Sequence, residues 1–484
     1  MSIKNKKWRV FFITLSSAIA IASVSLLLYI MGVRSSAYPY DTRMDYAYDF
    51  HGTDARIIDL QLKDGRCKLP TFHDTNYSIF LKIDISTTFM GRFFQPEARL
   101  SADNVSICDY FENGAEGIRY INITPLTSLY QVGDKFNKES VELELTGIRV
   151  RFRDQPVKLI IFRNRDILKS RILIVAPHPD DAEIAALGLY SSNKSAYIVT
   201  VTAGDAGTYQ YDELYINRKN HFLKKGRIRT WNSIAVPLLA GISPDRVLNL
   251  GLFDGTLETM FRVNPANVKA LYTGISNIDV FRNQNISPLV TLLTGGADWN
   301  SLVTNFENLL NRIQPDIIIT PYPALDRHPD HKFTSIALFE AIKRADIRSG
   351  SLYLYTNHLV LNEYYPYGNM GGVISLPPAF SDSPFFKGPI YFRSIYSHTL
   401  SAERQKDKIL SLDAMNDLRP DTTWRFSKDA VKMAITSLRR DILGQSASYY
   451  RRAVRNNELF FVVDIRDIHD QQIVDRITAE DLQL

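Results

Sequence analysis

Two short segments of this chain concentrate residues that hold metal ions and move protons. In Pro177-His178-Pro179-Asp180-Asp181-Ala182-Glu183, an imidazole and two carboxylates fall between positions 178 and 181. In Asp326-Arg327-His328-Pro329-Asp330-His331, two of the nine histidines stand beside two more carboxylates. A catalytic zinc site takes about three protein ligands and keeps one position open. His178 and Asp181 supply two donors three residues apart, which leaves Asp180 free for another role. The third donor has to come from elsewhere, and the second segment offers it. The bland alternative is a turn at a strand end whose aspartate caps the next helix. Finding both segments between an apolar strand and a helical pattern weighs against it.

The elements that must position these groups are readable around them. From about Arg171 onward, short apolar strands alternate with helical stretches, the mark of a mostly parallel sheet with helices on both faces. Candidate strands are residues 172–176, 197–201 and 316–320, and the polar motifs lie at their carboxyl ends, where open sheets of this kind bind ligands. If the first and third of these strands are neighbours, the two motifs share one crevice. Residues 257–303 have a loop-like composition that predicts a flap beside the site. Upstream, from about Tyr38 to Phe162, the alternation of Ile79, Leu81, Ile83 and Ile85 with Ser78, Phe80, Lys82 and Asp84 predicts strands, and a second such run spans 141–152. This region reads as an all-β, sandwich-like module. Its aromatics Tyr77, Phe93 and Phe94 fit core packing better than stacking on sugar rings.

At the start of the chain, Lys4, Lys6, Lys7 and Arg9 precede an uncharged run from Val10 to Val33. That run is long enough for a bilayer, which needs about 20 apolar residues, and the positive-inside rule keeps its basic flank in the cytoplasm. The competing reading is a signal peptide cleaved near Ser36-Ala37, whose apolar core would be only about 7–15 residues. A length of 484 residues and 45% hydrophobic content fit two packed cores. The net charge of +5, from 57 basic and 52 acidic residues, has no long basic block outside the first ten positions and argues against nucleic acid as a partner. The only cysteines, Cys67 and Cys108, read equally as a disulfide permitted outside the cytoplasm or as two buried thiols.

With these motifs in place, residues 170–415 resemble the LmbE/PIG-L family of zinc-dependent de-N-acetylases, which act on N-acetylglucosamine-containing lipids and thiol conjugates. The resemblance rests on the Pro-His-Pro-Asp-Asp-Ala-Glu and His-Pro-Asp-His motifs, with weaker echoes in Thr202-Ala203-Gly204-Asp205-Ala206-Gly207 and Leu252-Phe253-Asp254-Gly255. It implies a Rossmann-like catalytic domain in which His178, Asp181 and His331 hold one Zn2+ per chain. It also implies Asp180 as general base and His328 as the group that stabilises the oxyanion or protonates the leaving amine. Asp330 would keep His328 protonated. Asp254 and Arg229 are candidate substrate contacts, although Asp-Gly is also an ordinary turn and Arg229 also fits a solvated helix face. Glu183 reads as an outer support, Asp205 as the residue fixing the 204–207 turn, and His221 and His398 as non-catalytic. The same ligands suit iron or another divalent ion. Near the carboxyl end the family's His-Ser-Gln is replaced by Lys408-Ile-Leu-Ser-Leu-Asp-Ala-Met415-Asn416.

The chain is therefore expected to comprise a cytoplasmic N-terminus and transmembrane anchor over 1–36, a β-rich domain over 37–165 and a deacetylase domain over 166–484, with an extension from about 416. It would sit in the inner membrane as a single-pass protein, catalytic side out, acting on an N-acetylhexosamine in a surface glycoconjugate such as a lipopolysaccharide. Two rivals remain: a glycan-binding protein with an inactive zinc site, and a zinc amidase of different specificity acting on a thiol-sugar conjugate.

Overall fold

Period-two patterning decides which way each strand of the N-terminal half faces. In the computed structural model, which describes residues 2–35, 38–70, 76–126, 140–209, 214–380, 389–415, 434–435, 438 and 449–479, helix α1 (Ser2–Ser35) precedes nine strands. These are β1 (Arg56–Leu62), β2 (Arg66–Pro70), β3 (Tyr77–Thr87), β4 (Glu97–Ala102), β5 (Val105–Tyr110), β6 (Glu116–Asn122), β7 (Ser140–Ile148), β8 (Val150–Phe152) and β9 (Gln155–Arg163). They form two antiparallel sheets, one ordered β1-β9-β3-β6 with β8 also on β3, the other β2-β7-β4-β5. Ile79, Leu81, Ile83 and Ile85 of β3 point between the sheets to meet Ala98, Leu100, Leu143 and Leu145. Cys67 and Cys108 are free thiols on β2 and β5. The two strands between them put three spacings of about 4.8 Å in the way, well beyond the roughly 7 Å that a disulfide tolerates between Cα atoms.

The opposite face of β3 is also covered. Phe80, with Tyr120, Ile160 and Phe162, packs into the same apolar cluster as Phe392 and Phe461 of the C-terminal half. The sandwich and the catalytic sheet therefore share a core and stack as layers. Residues 38–50 are part of this seam: buried Glu112 accepts hydrogen bonds from the Tyr40 and Tyr46 hydroxyls and pairs with the Arg119 guanidinium at 3.5 Å.

The C-terminal half contains α2 (Asp181–Ser192), α3 (Arg218–Leu239), α4 (Leu257–Val263), α5 (Asp279–Arg282), α6 (Trp299–Ile313), α7 (Pro329–Arg344), α8 (Ala402–Ala414), α9 (Tyr449–Ala453) and α10 (Gln471–Thr478). Its strands are β10 (Ile172–Ala176), β11 (Tyr197–Thr202), β12 (Val247–Leu252), β13 (Ile317–Pro321), β14 (Ser351–Tyr355), β15 (Ser394–Thr399) and β16 (Asn457–Asp464). The sheet order is β12-β11-β10-β13-β14-β16-β15. Strands β10 to β14 pair in parallel, while β16 runs antiparallel to both β14 and β15. Fully buried β10 alternates its faces, Leu173 and Val175 toward α6 and α7, and Ile172, Ile174 and Ala176 toward α2. The chain leaves β10 in one direction to β11 and returns on its other side at β13, so the switch point of the sheet lies between β10 and β13.

One expectation changes and one gains detail. Within the extension expected from about residue 416, strand β16 sits inside the sheet between β14 and β15. Residues 257–303 are a packed wall instead of a flap: Leu257, Met260, Phe281, Leu289 and Ala297 are all buried in the core. The tail is also tied in by charge. Glu458 of β16 and Lys408 of α8 form an ion pair of 2.7 Å, each side chain 1% exposed, and Glu458 accepts the backbone N–H groups of Gly188 and Leu189 in α2. Stripping one partner from a buried pair leaves an uncompensated charge, at a typical cost of about 3–5 kcal/mol. Lys408→Met should therefore lower the urea midpoint of unfolding by an amount equivalent to about 3 kcal/mol or more, whereas exposed Lys406→Met should leave it unchanged.

Candidate active site

Strand β10 delivers the first motif and β13 the second. Because Ile172, Leu173 and Ile174 pair with Ile317, Ile318 and Ile319, both chains turn off the sheet at the same edge. At the first turn, Asp180 occupies the position before α2 with φ of +113°, a conformation rare for a residue with a Cβ and characteristic of sites whose surroundings hold strain in place. Its carboxylate makes no cap to the helix. It receives instead the Tyr450 hydroxyl at 2.8 Å and the Arg229 guanidinium at 3.3 Å, and Arg229 also donates to the Pro179 carbonyl at 2.7 Å. At the second turn His328 is the N-cap of α7, its Nδ1 accepting the Asp330 N–H at 3.2 Å.

Three donor atoms meet where the turns converge. His178 Nδ1 lies 3.2 Å from Asp181 Oδ2 and 3.2 Å from His331 Nε2, and His331 Nε2 lies 3.1 Å from Asp181 Oδ2. A tetrahedral ion with bonds of about 2.0–2.1 Å has ligand atoms about 3.3–3.4 Å apart, so this triangle fits one face of such a shell. Each donor is also held from behind. His178 Nε2 faces Asp254 Oδ1 and Asp330 Oδ2, both at 3.2 Å. His331 Nδ1 faces Asp326 Oδ2 at 3.0 Å, and Asp181 Oδ1 accepts from Asn357 Nδ2 at 2.7 Å. A carboxylate behind each imidazole sets its tautomer and aims the other nitrogen at the ion.

The electrostatics follow from this crowding. Burial lowers the proton affinity of both imidazoles, but Asp254 and its neighbours overcome that for His178, and Asp181 with Asp326 lift His331 to about 10. Asp181 is held well below the usual carboxylate range because His331 and His178 outweigh its burial. Asp180 moves the other way, raised by burial against the pull of Arg229. His328 is pushed down to about 4 by burial and by the two other imidazoles. It is thus a neutral ring near pH 7, and with Nδ1 engaged as an acceptor its proton sits on Nε2.

Asp330 accordingly does not perform the task expected of it. Its carboxylate turns away from His328 to accept the N–H groups of Gly255 at 2.6 Å and Leu257 at 3.1 Å while facing His178. His328 needs no imidazolium to act as a donor. Asp254 likewise lies behind His178, with its other oxygen on the Ala206 N–H, and Arg229 lies on Asp180. Asp205 accepts the Asp254 N–H at 2.9 Å, and burial raises it to about 7. Glu183 meets the Tyr190 hydroxyl at 2.9 Å instead of a ligand, and burial raises it to about 8. His221 packs against Tyr209 and Phe222, and His398 against Tyr396, outside the cluster.

Four participants escaped the sequence reading. Asp326 was visible within its motif but carried no assigned task. Asn357 and His358 follow β14, and only their place at a strand end marked them. Tyr450 comes from a segment with no motif at all. His358 has its ring 5.2 Å from that of His331, while its Nδ1 lies 3.3 Å from Glu363.

Residues 173–342 match the model of the PIG-L family, described as GlcNAc-PI de-N-acetylase. Those residues form a PIG-L domain. It is similar to the probable N-acetyl-α-D-glucosaminyl L-malate deacetylase 2 of Bacillus subtilis, 24% identical over 181 residues, 37% of this chain and 62% of the relative. The chain thus spans about three-fifths of that relative. Among solved structures it is similar to N,N'-diacetylchitobiose deacetylase from Pyrococcus horikoshii, at 15% identity, 61% of this chain, 85% of that one and a TM-score of 0.31. Teicoplanin deacetylase Orf2 in a zinc-inhibited form gives 16%, 61%, 98% and 0.30. Both motifs of the PIG-L domain lie inside the matched span, whereas Tyr450 and Asn357 lie beyond it.

If the triangle is the metal site, elemental analysis of the purified chain should find about one divalent ion, lost in His178→Ala and in His331→Ala. His358→Ala should retain the ion at reduced affinity, because Glu363 engages only its Nδ1 and the ring stands with Asp181 and His331 in one cluster of possible donors.

Proposed function

We propose that this protein is a metal-dependent de-N-acetylase that hydrolyses the acetamide of an N-acetylglucosamine-like sugar, releasing acetate. The observation that carries the reading is the arrangement at one crevice: a three-donor triangle, a carboxylate excluded from it and the His328 imidazole beside it. An amide is a poor electrophile, and its hydrolysis calls for an activated water, a polarised carbonyl and a proton for the departing nitrogen. A divalent ion, zinc by the donor set of two imidazoles and one carboxylate, supplies the Lewis acidity that lowers the pKa of water and polarises the acyl oxygen.

The chain's own groups do the rest. His178, Asp181 and His331 hold the ion, and Asp254, Asp330, Asp326 and Asn357 fix the direction of those three side chains. Asp180 is the general base: raised by burial, it accepts the proton of water, a contribution typically worth about 10²–10⁴ in rate. Tyr450 and Arg229 keep its carboxylate on the reacting side. His328 presents its Nε2–H to the acyl oxygen as charge builds there, or to the leaving nitrogen. The strained φ of Asp180 lets adjacent residues face opposite tasks, Asp181 toward the ion and Asp180 toward water.

The substrate is an N-acetylhexosamine carried on a glycolipid or surface glycoconjugate, a reading supported by the description of the matching family and by α1. That helix includes an apolar stretch, Phe11–Tyr29, of 19 residues, about 28 Å at 1.5 Å per residue, comparable with a hydrocarbon core of about 30 Å. We infer that the folded part lies on the outer side of the inner membrane, a reading supported by the basic residues before that stretch and the positive-inside rule.

Asp180→Asn should keep the metal and lose acetate release from an N-acetylglucosaminyl lipid by at least about 10²-fold. Tyr450→Phe should keep the metal and lower kcat several-fold to about tenfold with KM little changed, as expected when a hydrogen bond to a charged group is removed. Undiminished turnover in Asp180→Asn would overturn the mechanism. Activity confined to small soluble thiol conjugates would overturn the substrate class.

A further inference from the structure

The turn after β3 exposes an apolar surface that nothing in the proposed chemistry uses. Thr88-Phe89-Met90-Gly91-Arg92-Phe93-Phe94-Gln95 holds four large apolar residues, one arginine and no acid. Phe89 is 72% exposed, Phe94 51% and Met90 49%. The turn is pinned from below. Thr88 N–H donates to the Arg149 carbonyl at 2.9 Å, and the Thr88 hydroxyl accepts the Gly91 N–H at 3.3 Å. Gly91 is buried so tightly that a Cβ there would collide with the Arg149 carbonyl. Phe89 is thereby held outward with its ring 5.2 Å from that of Phe93, and the Arg149 guanidinium lies 5.9 Å over the Phe94 ring.

The position of this turn relative to α1 suggests its partner. The chain enters the folded part at Tyr38, whose hydroxyl meets Asn113. Thr42 then accepts the Glu116 N–H, and the neighbouring Gly114 N–H donates to the Gly91 carbonyl. A Cβ on Gly114 would touch both Thr42 Oγ1, at 3.6 Å, and Arg92 Cγ, at 4.0 Å. The entry segment and the turn are therefore side by side. From Tyr29, the last residue of the apolar stretch, six further helical residues rise about 9 Å, and three Cα–Cα steps to Tyr38 add at most about 11 Å. With α1 in a bilayer, the folded part begins within about 20 Å of the hydrocarbon, on the side of the sandwich that carries Phe89. Aromatic rings with arginine beside them are the composition of protein surfaces at the headgroup level.

We propose that the Phe89–Phe94 turn is a second membrane contact that dips into the outer headgroup layer and fixes how the catalytic layers face the bilayer. The inference rests on α1 spanning a membrane. The test uses the full chain reconstituted into phosphatidylcholine vesicles containing phosphatidylglycerol and a shallow doxyl-labelled lipid. Phe89→Trp is compared with Arg56→Trp, exposed at the far end of the same sheet, and the emission of the native tryptophans is subtracted using the wild type. The added emission at position 89 should be blue-shifted and lose at least half its intensity to the doxyl lipid, while that at position 56 is unaffected. Flotation of the same samples reports the anchor separately. A chain that fails to float overturns both the anchor and the contact. A chain that floats with position 89 as unquenched as position 56 overturns the contact alone and leaves the anchor standing.

Discussion

Everything at the candidate site depends on one pairing, the parallel contact of β10 with β13. The donors at 178 and 181 and the donor at 331 are about 150 residues apart in sequence, yet their ligand atoms stand 3.1–3.2 Å from one another. No local turn achieves that. It requires two buried strands in register, Ile172 against Ile317, each ending at the same edge of the sheet and each followed by a helix that starts at its motif. A slip by one residue would exchange the two packed faces of β10, Leu173 and Val175 for Ile172, Ile174 and Ala176, and would part the motifs at the strand ends. The site is thus as rigid as the centre of the sheet, which suits a centre that must hold three donors at bonding distance.

The second constraint is charge. Asp180, Asp181, Asp254, Asp326 and Asp330 crowd around two imidazoles in a region largely closed to water, with the Arg229 guanidinium on Asp180. The field of these carboxylates raises His178 and lifts His331 to about 10 in spite of burial. That pull favours any positive charge at the triangle, and a dication meets it at one point between the three donors. His328 escapes the pull because burial and the two other imidazoles outweigh it, and it is pushed to about 4. One cluster thus produces two kinds of histidine, those drawn toward cationic charge and one that stays a neutral donor.

How much of this was legible in the sequence follows from the range of the interactions. The apolar runs of β10, β11 and β13 and the motifs at their ends are local patterns, and reading them was enough to place His178, Asp181 and His331 in one crevice. The inward row Ile79, Leu81, Ile83 and Ile85 was equally plain. Phe80 was not, because a strand covered on both faces breaks the alternation that betrays a strand covered on one. The expected partnership of Asp330 with His328 failed for a reason of direction: on the first turn of α7, Asp330 points across to the 255–257 turn, and residue spacing alone does not show where a side chain aims. Tyr450 and β16 were beyond reach, since their partners lie 270 residues away for Asp180 and at the middle of the sheet for β16.

The lateness of these last elements has a structural consequence. Strand β16 enters the sheet only after β10 to β15 have been laid down, and it brings Glu458 to α2 and Phe461 to the seam with the sandwich. Helix α9, just before it, brings Tyr450 to Asp180. The Asp180 carboxylate, proposed as the general base, is therefore completed by the same segment that ties the C-terminal sheet to the sandwich. Since the sandwich also clamps residues 38–50 through Glu112, Tyr40 and Tyr46, packed layers join the start of the folded part at Tyr38 to the Asp180 carboxylate. On the proposed reading, in which the substrate is confined to a plane, such packing fixes the crevice relative to Tyr38 and to the turn at Phe89, the parts of the fold proposed to lie nearest that plane.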